Sequence, residues 1–424
     1  MALKKNLSLM GITTVARLGA GLVTFSVLAR LLGPVAFGTL MLWLSVAVLL
    51  SIIANYGLTV YVVRKVSLNP ETAEEVLNEG FTAKLMLTIA LFMVVAIGVF
   101  RFDLDTADLL LILLAGCIAD TFTEFINAGF RARDKFATET NVSTIFAFIH
   151  TIIVSSAVIW HPSIEVAAIA YTASRVTLLV VTIMILNHVI APLQLASFRK
   201  SIRLLCDARS YAVDFSIQSL FGQVDSVALN HFLGPASVGL YQAGMRLFLG
   251  GFQVAPILAN VFLHHTSAIA YSPVLFQQAN KQLHIAFLGT GIVFGLLLAG
   301  LADPLVLIIF GPSYMELIPL MPYFGLLLFL RFAAASWGVV LTAAGQQTFR
   351  TIVGLFHWGL IAAFALILIP ALGIEGWLIS LCVGTFALGL TYAIRSRFLV
   401  INFGGILGTT AFGGLCFVPF LHIW

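Results

Sequence analysis

Charge is scarce in this sequence. Asp, Glu, Lys and Arg together make up only 9% of its 424 residues, while 60% are hydrophobic. A soluble domain carries roughly 25% charged residues, so a chain this poor in charge cannot clothe a water-facing exterior, and most of its surface must meet lipid. Cysteine is nearly absent as well: Cys117, Cys206, Cys382 and Cys416 are scattered, with no CxxC pair and no His–Cys cluster. That spacing excludes a disulfide framework and a structural zinc site. A P-loop, a GxSxG elbow, an HExxH helix and a dinucleotide-binding glycine fingerprint are all missing. The chain therefore has no visible way to use ATP directly, and neither enzymatic chemistry nor a nucleic-acid partner is expected. Long polar segments are lacking too, which leaves no room for a soluble domain.

What the chain does have is long apolar runs. A helix needs about 20 predominantly apolar residues to cross a bilayer. Read between charged or Pro/Gly-rich breaks, the runs predict spans at 8–32, 36–63, 82–100, 106–130, 140–160, 164–188, 209–232, 238–264, 283–302, 317–343, 351–370 and 374–394, followed by a glycine-rich thirteenth segment at 400–422. The run after Lys4 and Lys5 continues through Arg17 to Leu32 without a small-residue cleavage site, so it is expected to be the first span rather than a removed leader. Residues 69–79 read as a short capped helix at the surface, and 189–208 as a cytoplasmic linker.

Basic residues orient the spans. With the N-terminus in the cytoplasm, 16 of the 22 Lys and Arg residues, from Lys4 and Lys5 through Lys84, Arg199 and Lys200 to Arg395 and Arg397, fall on the cytoplasmic side. Arg30 and Arg101 fall opposite, and Arg17, Arg175, Arg246 and Arg331 lie within spans. This is the positive-inside pattern, and a miscounted span would have scrambled it.

The sequence also repeats itself. Leu28-Ala29-Arg30-Leu31-Leu32-Gly33-Pro34 recurs as Leu229-Asn230-His231-Phe232-Leu233-Gly234-Pro235, each copy closing one long span and opening the next. Glycine can stop a helix and proline suits the first turn of the one that follows. Ile164-Glu165 likewise matches Ile374-Glu375, and Asp134-Lys135-Phe136 matches Gln347-Thr348-Phe349. All three matches sit at the same place in a six-span unit, an even number of spans apart, so the repeat is parallel. The expected fold is all-α: a polytopic membrane protein of two parallel six-helix lobes, 1–200 with its linker and 201–398, plus an additional C-terminal segment at 399–424.

Several of these residues carry a resemblance. Ala29-Arg30-Leu31-Leu32-Gly33-Pro34-x-x-Phe37-Gly38, then Asn55-Tyr56-Gly57-Leu58 with Val63-Arg64, then Leu341 to Gln347 and Gly373-Ile374-Glu375-Gly376, resemble the Wzx-type polysaccharide flippases. These belong to the multidrug/oligosaccharidyl-lipid/polysaccharide exporter superfamily, and the resemblance covers residues 1–396. It implies two lobes facing each other across a central cavity. It also implies alternating access that carries a polyprenyl-diphosphate-linked oligosaccharide, an O-antigen or other surface polysaccharide unit of the lipopolysaccharide kind, across the bacterial inner membrane. No cofactor is implied beyond a proton or sodium gradient. The implied partners are the lipid-linked cargo, membrane lipids, and a polysaccharide polymerase or other assembly proteins. The thirteenth segment departs from the family's commonest twelve-span pattern.

Charge inside a span is expensive and normally faces the bundle interior or a wet cavity. Helical spacing places Thr13, Arg17, Gly21 and Thr24 on one stripe, and Gly116, Asp120, Glu124, Asn127 and Arg131 on another. Further stripes hold Asp214, Gln218, Gly222 and Asp225; Gln242, Arg246, Gly250 and Gln253; and Arg331, Ala335, Gly338 and Thr342. For a cargo with a diphosphate, Arg17, Arg175, Arg246 and Arg331, with Arg30 near the external mouth, are candidate ligands, because the guanidinium fork binds phosphate oxygens bidentately and keeps its proton. Gln218 and Gln242 are candidates for the same cavity. Asp120 and Glu124, one turn apart, are candidates for ion coupling, since adjacent like charges favour sharing a proton or a cation; Asp214 and Asp225 join them. Four arginines facing four acids are equally well accounted for as internal ion pairs. His264 and His265 fall at a helix end as interfacial residues, and the glycosylation-type Asn141-x-Ser143 lies on the cytoplasmic side.

Three other readings stay open. A multidrug/cation antiporter of the same fold would favour an acidic, aromatic cavity, and a lipid II flippase would favour fourteen spans. A membrane glycosyltransferase or polymerase would need a sizeable catalytic loop, which the sequence lacks.

Overall fold

The computed structural model describes residues 2–102, 107–133, 135–189, 192–220, 222–268, 273–399 and 403–421, and among them every regular element is a helix. The chain divides into two compact units, Met1–His231 and Phe232–Trp424. The first holds α1 (Ala2–Asn55), α2 (Leu58–Leu68), α3 (Ala73–Phe102), α4 (Ala107–Ala132), α5 (Phe136–Trp160), α6 (Ile164–Val189), α7 (Phe198–Leu220) and most of α8 (Val224–Leu233). The second holds α9 (Pro235–Phe252), α10 (Val254–Ala268), α11 (Pro273–Gly300), α12 (Ala302–Ile309), α13 (Met321–Ala343), α14 (Gln347–Ser396), α15 (Phe403–Leu415) and α16 (Val418–Leu421). Among the described residues, ten helical stretches are long and apolar enough to cross a membrane. Two of them, Arg17–Leu68 and Gln347–Ser396, have 52 and 50 residues, about twice the length of one crossing. This is a multi-pass membrane protein.

The double-length helices break where the sequence repeats. Gly33 interrupts α1 with φ 74° and ψ 171°, and Gly234 precedes α9 with φ 82° and ψ 178°. That backbone region is essentially open to glycine alone, and the following proline drives its neighbour away from helical ψ. The two aligned Gly-Pro pairs therefore hold one conformation for one reason. The other matches also mark helix starts: α6 opens at Ile164, Ile374 follows the Gly373 break in α14, and α5 and α14 open beside Lys135 and Gln346. Asp134 lies outside the described residues.

Two local expectations change, and one lysine proves to be buried. The seventh span, expected at 209–232, is two helices, α7 and α8, and α7 starts eleven residues earlier at Phe198. Arg199, Lys200, Arg203, Asp207, Arg209 and Asp214 make α7 too polar to count as a span. It buries only one face, through Ser201, Leu204, Ala208 and Ala212, and packs on α1, α2 and α3. Residues 73–79 form the first turns of α3 rather than a separate surface helix. The linker clips onto them: Gln194 N–H donates to Asn78 Oδ1 (2.9 Å), Ala196 N–H to Thr82 Oγ1 (2.8 Å), and Lys200 Nζ to Glu75 Oε1 (2.6 Å). The Glu75 carboxylate raises the Lys200 pKa above the usual lysine range. Lys84, placed on the cytoplasmic side by charge counting, is fully buried. Its ammonium donates to the Ala54 carbonyl at 3.1 Å, capping the last turn of α1, where helix carbonyls lack partners and a cation is favoured.

Apolar packing holds each unit. In the first, Leu58, Val62, Val66, Leu77, Phe125 and Phe130 form a buried cluster across α2, α3 and α4. In the second, α13 is the central helix, with Phe324, Phe329, Phe332 and Trp337 buried. It crosses α11 at a point where Gly295 and Gly325 meet backbone to backbone. The thirteenth segment joins this unit: α15 packs on α11 and α13, and Phe417 stacks on Phe329 with ring centroids 6.0 Å apart.

Candidate functional site

A cavity of ≈ 500 Å³ lies within the first unit, in the roughly 300–1,000 Å³ range of small-molecule sites. It is walled by α1, α4, α5 and α6, and lined by Arg17, Asp120, Glu124, Arg131, Glu139 and Arg175 together with Thr123, Asn127, Ser143 and His150. Phe25, Phe146 and Leu178 supply apolar wall. The α4 stripe enters as helical spacing requires, with Asp120, Glu124, Asn127 and Arg131 three or four residues apart on one face. Gly116, at the head of that stripe, packs against Thr172 instead. Thr24 also turns from the cavity and ties α1 to α5, its hydroxyl donating to Ala20 O and meeting Thr151 Oγ1, both at 2.9 Å.

Three arginines and three carboxylates share this space, and four of the six are paired. Arg175 NH1 lies 3.0 Å from Asp120 Oδ1, with its guanidinium 5.2 Å from the Tyr171 ring centroid. Arg131 Nε lies 3.7 Å from Glu139 Oε2. Among the described residues, Arg17 and Glu124 form no ion pair, and both are exposed. The cavity therefore offers one guanidinium fork and one carboxylate to a guest. The first suits phosphate or carboxylate oxygens; the second suits a cation or hydroxyl donors.

The structure thus brings together four of the sequence candidates, Arg17, Arg175, Asp120 and Glu124. Arg30 is exposed, one turn before the Gly33 break, and does not line the cavity. Asp214 is exposed on α7, and Asp225 Oδ1 accepts the Ser226 N–H at 2.8 Å near the start of α8. The side chain of Gln218 lies outside the described residues, as do those of His264 and His265. Gln242, Arg246 and Arg331 belong to α9 and α13 of the second unit, the first buried and the other two half-buried. Two titratable lining residues escaped the sequence reading: Glu139 and His150 on α5. With Ser143, Phe146 and Ala147 they form a stripe at three- and four-residue spacing, a signal present in the sequence but masked by the other polar residues of α5, among them Thr138, Thr140, Asn141 and Thr144.

No curated protein sequence matches the chain. Among solved structures it is similar to the lipid II flippase MurJ in an inward closed conformation, with a TM-score of 0.73 and 14% identity over 96% of this chain and 97% of that one. It is similar to a multidrug resistance MATE family transporter of the MOP superfamily in an inward-facing conformation, with a TM-score of 0.67 and 14% identity over 94% and 96%. A eukaryotic MATE transporter follows at 0.60 and 13% over 98% and 99%. At such identities the likeness is one of fold. A family model described as polysaccharide biosynthesis protein matches residues 3–263, more than half of the chain, and this protein is a member of that family.

Proposed function

We propose that the protein is a flippase, without enzymatic chemistry, that carries a polyprenyl-diphosphate-linked oligosaccharide such as an O-antigen unit across the bacterial inner membrane by alternating access. The observation that carries this reading is the mixed-charge cavity inside an apolar helical unit, in which Arg17 has no ion-pair partner among the described residues. An exposed guanidinium on a cavity wall keeps its fork available to an anionic ligand. The diphosphate of the cargo is a ligand of matching charge and geometry, while the polyprenyl tail remains in lipid. Membership in a polysaccharide biosynthesis family supports the same cargo class. Glu124, the unpaired acid, is the group best placed to take up a proton or sodium ion, because Asp120 is already engaged by Arg175. In this reading the N-terminus is cytoplasmic, the driving force is an ion gradient, and the product passes to a polymerase for lipopolysaccharide assembly.

The Glu124 carboxylate, which forms no ion pair among the described residues, also favours a second reading, a cation antiporter, which the MATE-like fold accommodates. Deleting the gene in its host separates the two. The flippase reading expects lipid-linked oligosaccharide to accumulate on the cytoplasmic leaflet and to clear when the wild-type gene is restored. Normal surface polysaccharide in the deletion strain, together with sensitivity to lipophilic cations, would favour the antiporter.

A further inference from the structure

We propose that His150 recognises the carbohydrate part of the cargo, its Nε2 accepting a hydrogen bond from a sugar hydroxyl; the inference rests on the flippase reading. His150 lies on α5 and lines the cavity wall, 9% exposed. Its Nδ1 is 2.6 Å from Ser174 Oγ, and Ser174 Oγ is 2.7 Å from the Tyr171 carbonyl oxygen. Each of these short contacts needs a proton between its heavy atoms. A serine hydroxyl supplies one and a carbonyl supplies none. Ser174 must therefore donate to Tyr171 O, and the proton in the other contact must come from Nδ1. This fixes the neutral ring as the Nδ1–H tautomer and leaves Nε2 as a lone-pair acceptor. The edge-to-face contact with Tyr171, at 5.5 Å and 82°, holds the ring plane.

The other side-chain acceptors on this cavity wall are the carboxylates of Asp120, Glu124 and Glu139, which take any cationic or neutral donor, and the amide and hydroxyl oxygens of Asn127, Thr123 and Ser143. A neutral imidazole nitrogen held in one orientation is more selective, since it offers a single lone pair in a fixed direction to an O–H or N–H group. The second unit contains the same lock put to a different end. His284 Nδ1 is 2.8 Å from Ser336 Oγ, which donates to Ala333 O at 2.7 Å. There Nε2 is buried without a partner and the ring lies 4.0 Å from Trp337. The serine lock is thus a structural device in both units, and at His150 the locked ring forms part of a cavity wall.

Two isosteric replacements separate recognition from structure. Asparagine copies Nδ1 and keeps the Ser174 contact while deleting the cavity acceptor; glutamine copies Nε2 and keeps the acceptor while loosening the lock. Purified wild-type protein, His150→Asn and His150→Gln are compared, after a thermal-melting check of folding, for binding of the polyprenyl-diphosphate oligosaccharide and of bare polyprenyl diphosphate. Wild type is expected to prefer the sugar-bearing lipid. H150N should lose about tenfold in affinity for that lipid alone, the usual consequence of one hydrogen bond removed, and H150Q should keep most of the preference. A folded H150Q that loses the preference, or an H150N that retains it, overturns the proposal, and H150Q decides alone if H150N does not fold. Equal wild-type binding of the two lipids overturns the role of His150 and leaves the flippase reading standing. Wild-type binding of neither overturns both.

Discussion

Replacing Arg17 by alanine is expected to lower kcat/KM for oligosaccharide-lipid translocation between about tenfold and a hundredfold, while folded yield and melting temperature stay at wild-type values. The magnitude is that of a charge-assisted hydrogen bond to phosphate, about 1.5–3 kcal/mol, and tenfold corresponds to 1.4 kcal/mol. The absence of a stability effect follows from the pairing. Arg17 has no ion-pair partner among the described residues, and the acid nearest to it in electrostatic terms, Glu139, keeps its pair with Arg131. Arg175→Ala makes the contrast, because it leaves Asp120 without the guanidinium 3.0 Å away and so mixes a folding defect with any transport defect. Arg17→Lys keeps the charge without the planar fork and should fall between wild type and alanine. Transport by Arg17→Ala at the wild-type rate would remove Arg17 from the pathway.

The largest effect on folding is expected at Gly325. A Cβ added there would stand 2.5 Å from the Gly295 carbonyl oxygen and 3.2 Å from the Phe417 ring. The first neighbour is backbone and cannot turn away, so α11 and α13 would have to separate. Overpacking of a tight core costs about 1–3 kcal/mol and at times more, and this crossing lies at the centre of the second unit. Gly325→Val should therefore lose most of its folded yield in detergent size-exclusion chromatography. A surface glycine such as Gly404, with nothing near its ideal Cβ, should accept alanine without loss. A well-folded Gly325→Val with an unchanged melting temperature would contradict the close crossing.

How far the sequence could be read depended on whether a feature was periodic or tertiary. The Gly33 and Gly234 breaks were legible because only glycine enters that backbone region and proline cannot continue a helix. The α4 stripe was legible because Asp120, Glu124, Asn127 and Arg131 recur with helical spacing. Which acid meets which arginine was not, since four acids and four arginines allow many pairings, and only the approach of α4 to α6 selects Asp120 for Arg175. The seventh span failed because scattered apolar residues (Phe215, Ile217, Leu220, Val224, Val227, Ala228, Leu229, Phe232 and Leu233) suggest one continuous run, whereas the chain forms two helices, with α7 ending at Leu220 and α8 starting at Val224. The burial of Lys84 was not legible for a related reason. A lysine reads as solvent-facing unless a backbone carbonyl waits for it, and the end of α1 at Ala54 supplies one only in three dimensions. His150 belongs to the same class, because the tautomer that makes it useful is imposed by Ser174, 24 residues away.

Translocation in reconstituted vesicles tests the central claim most directly. Purified protein is placed in liposomes carrying polyprenyl-diphosphate oligosaccharide in both leaflets, and a membrane-impermeant glycosidase is added outside under an imposed proton or sodium gradient. The account predicts that the protected inner-leaflet pool becomes accessible far faster than in protein-free vesicles, and that Arg17→Ala slows this step. Accessibility no faster than in protein-free vesicles under either gradient, with wild-type protein shown to be folded, would contradict it.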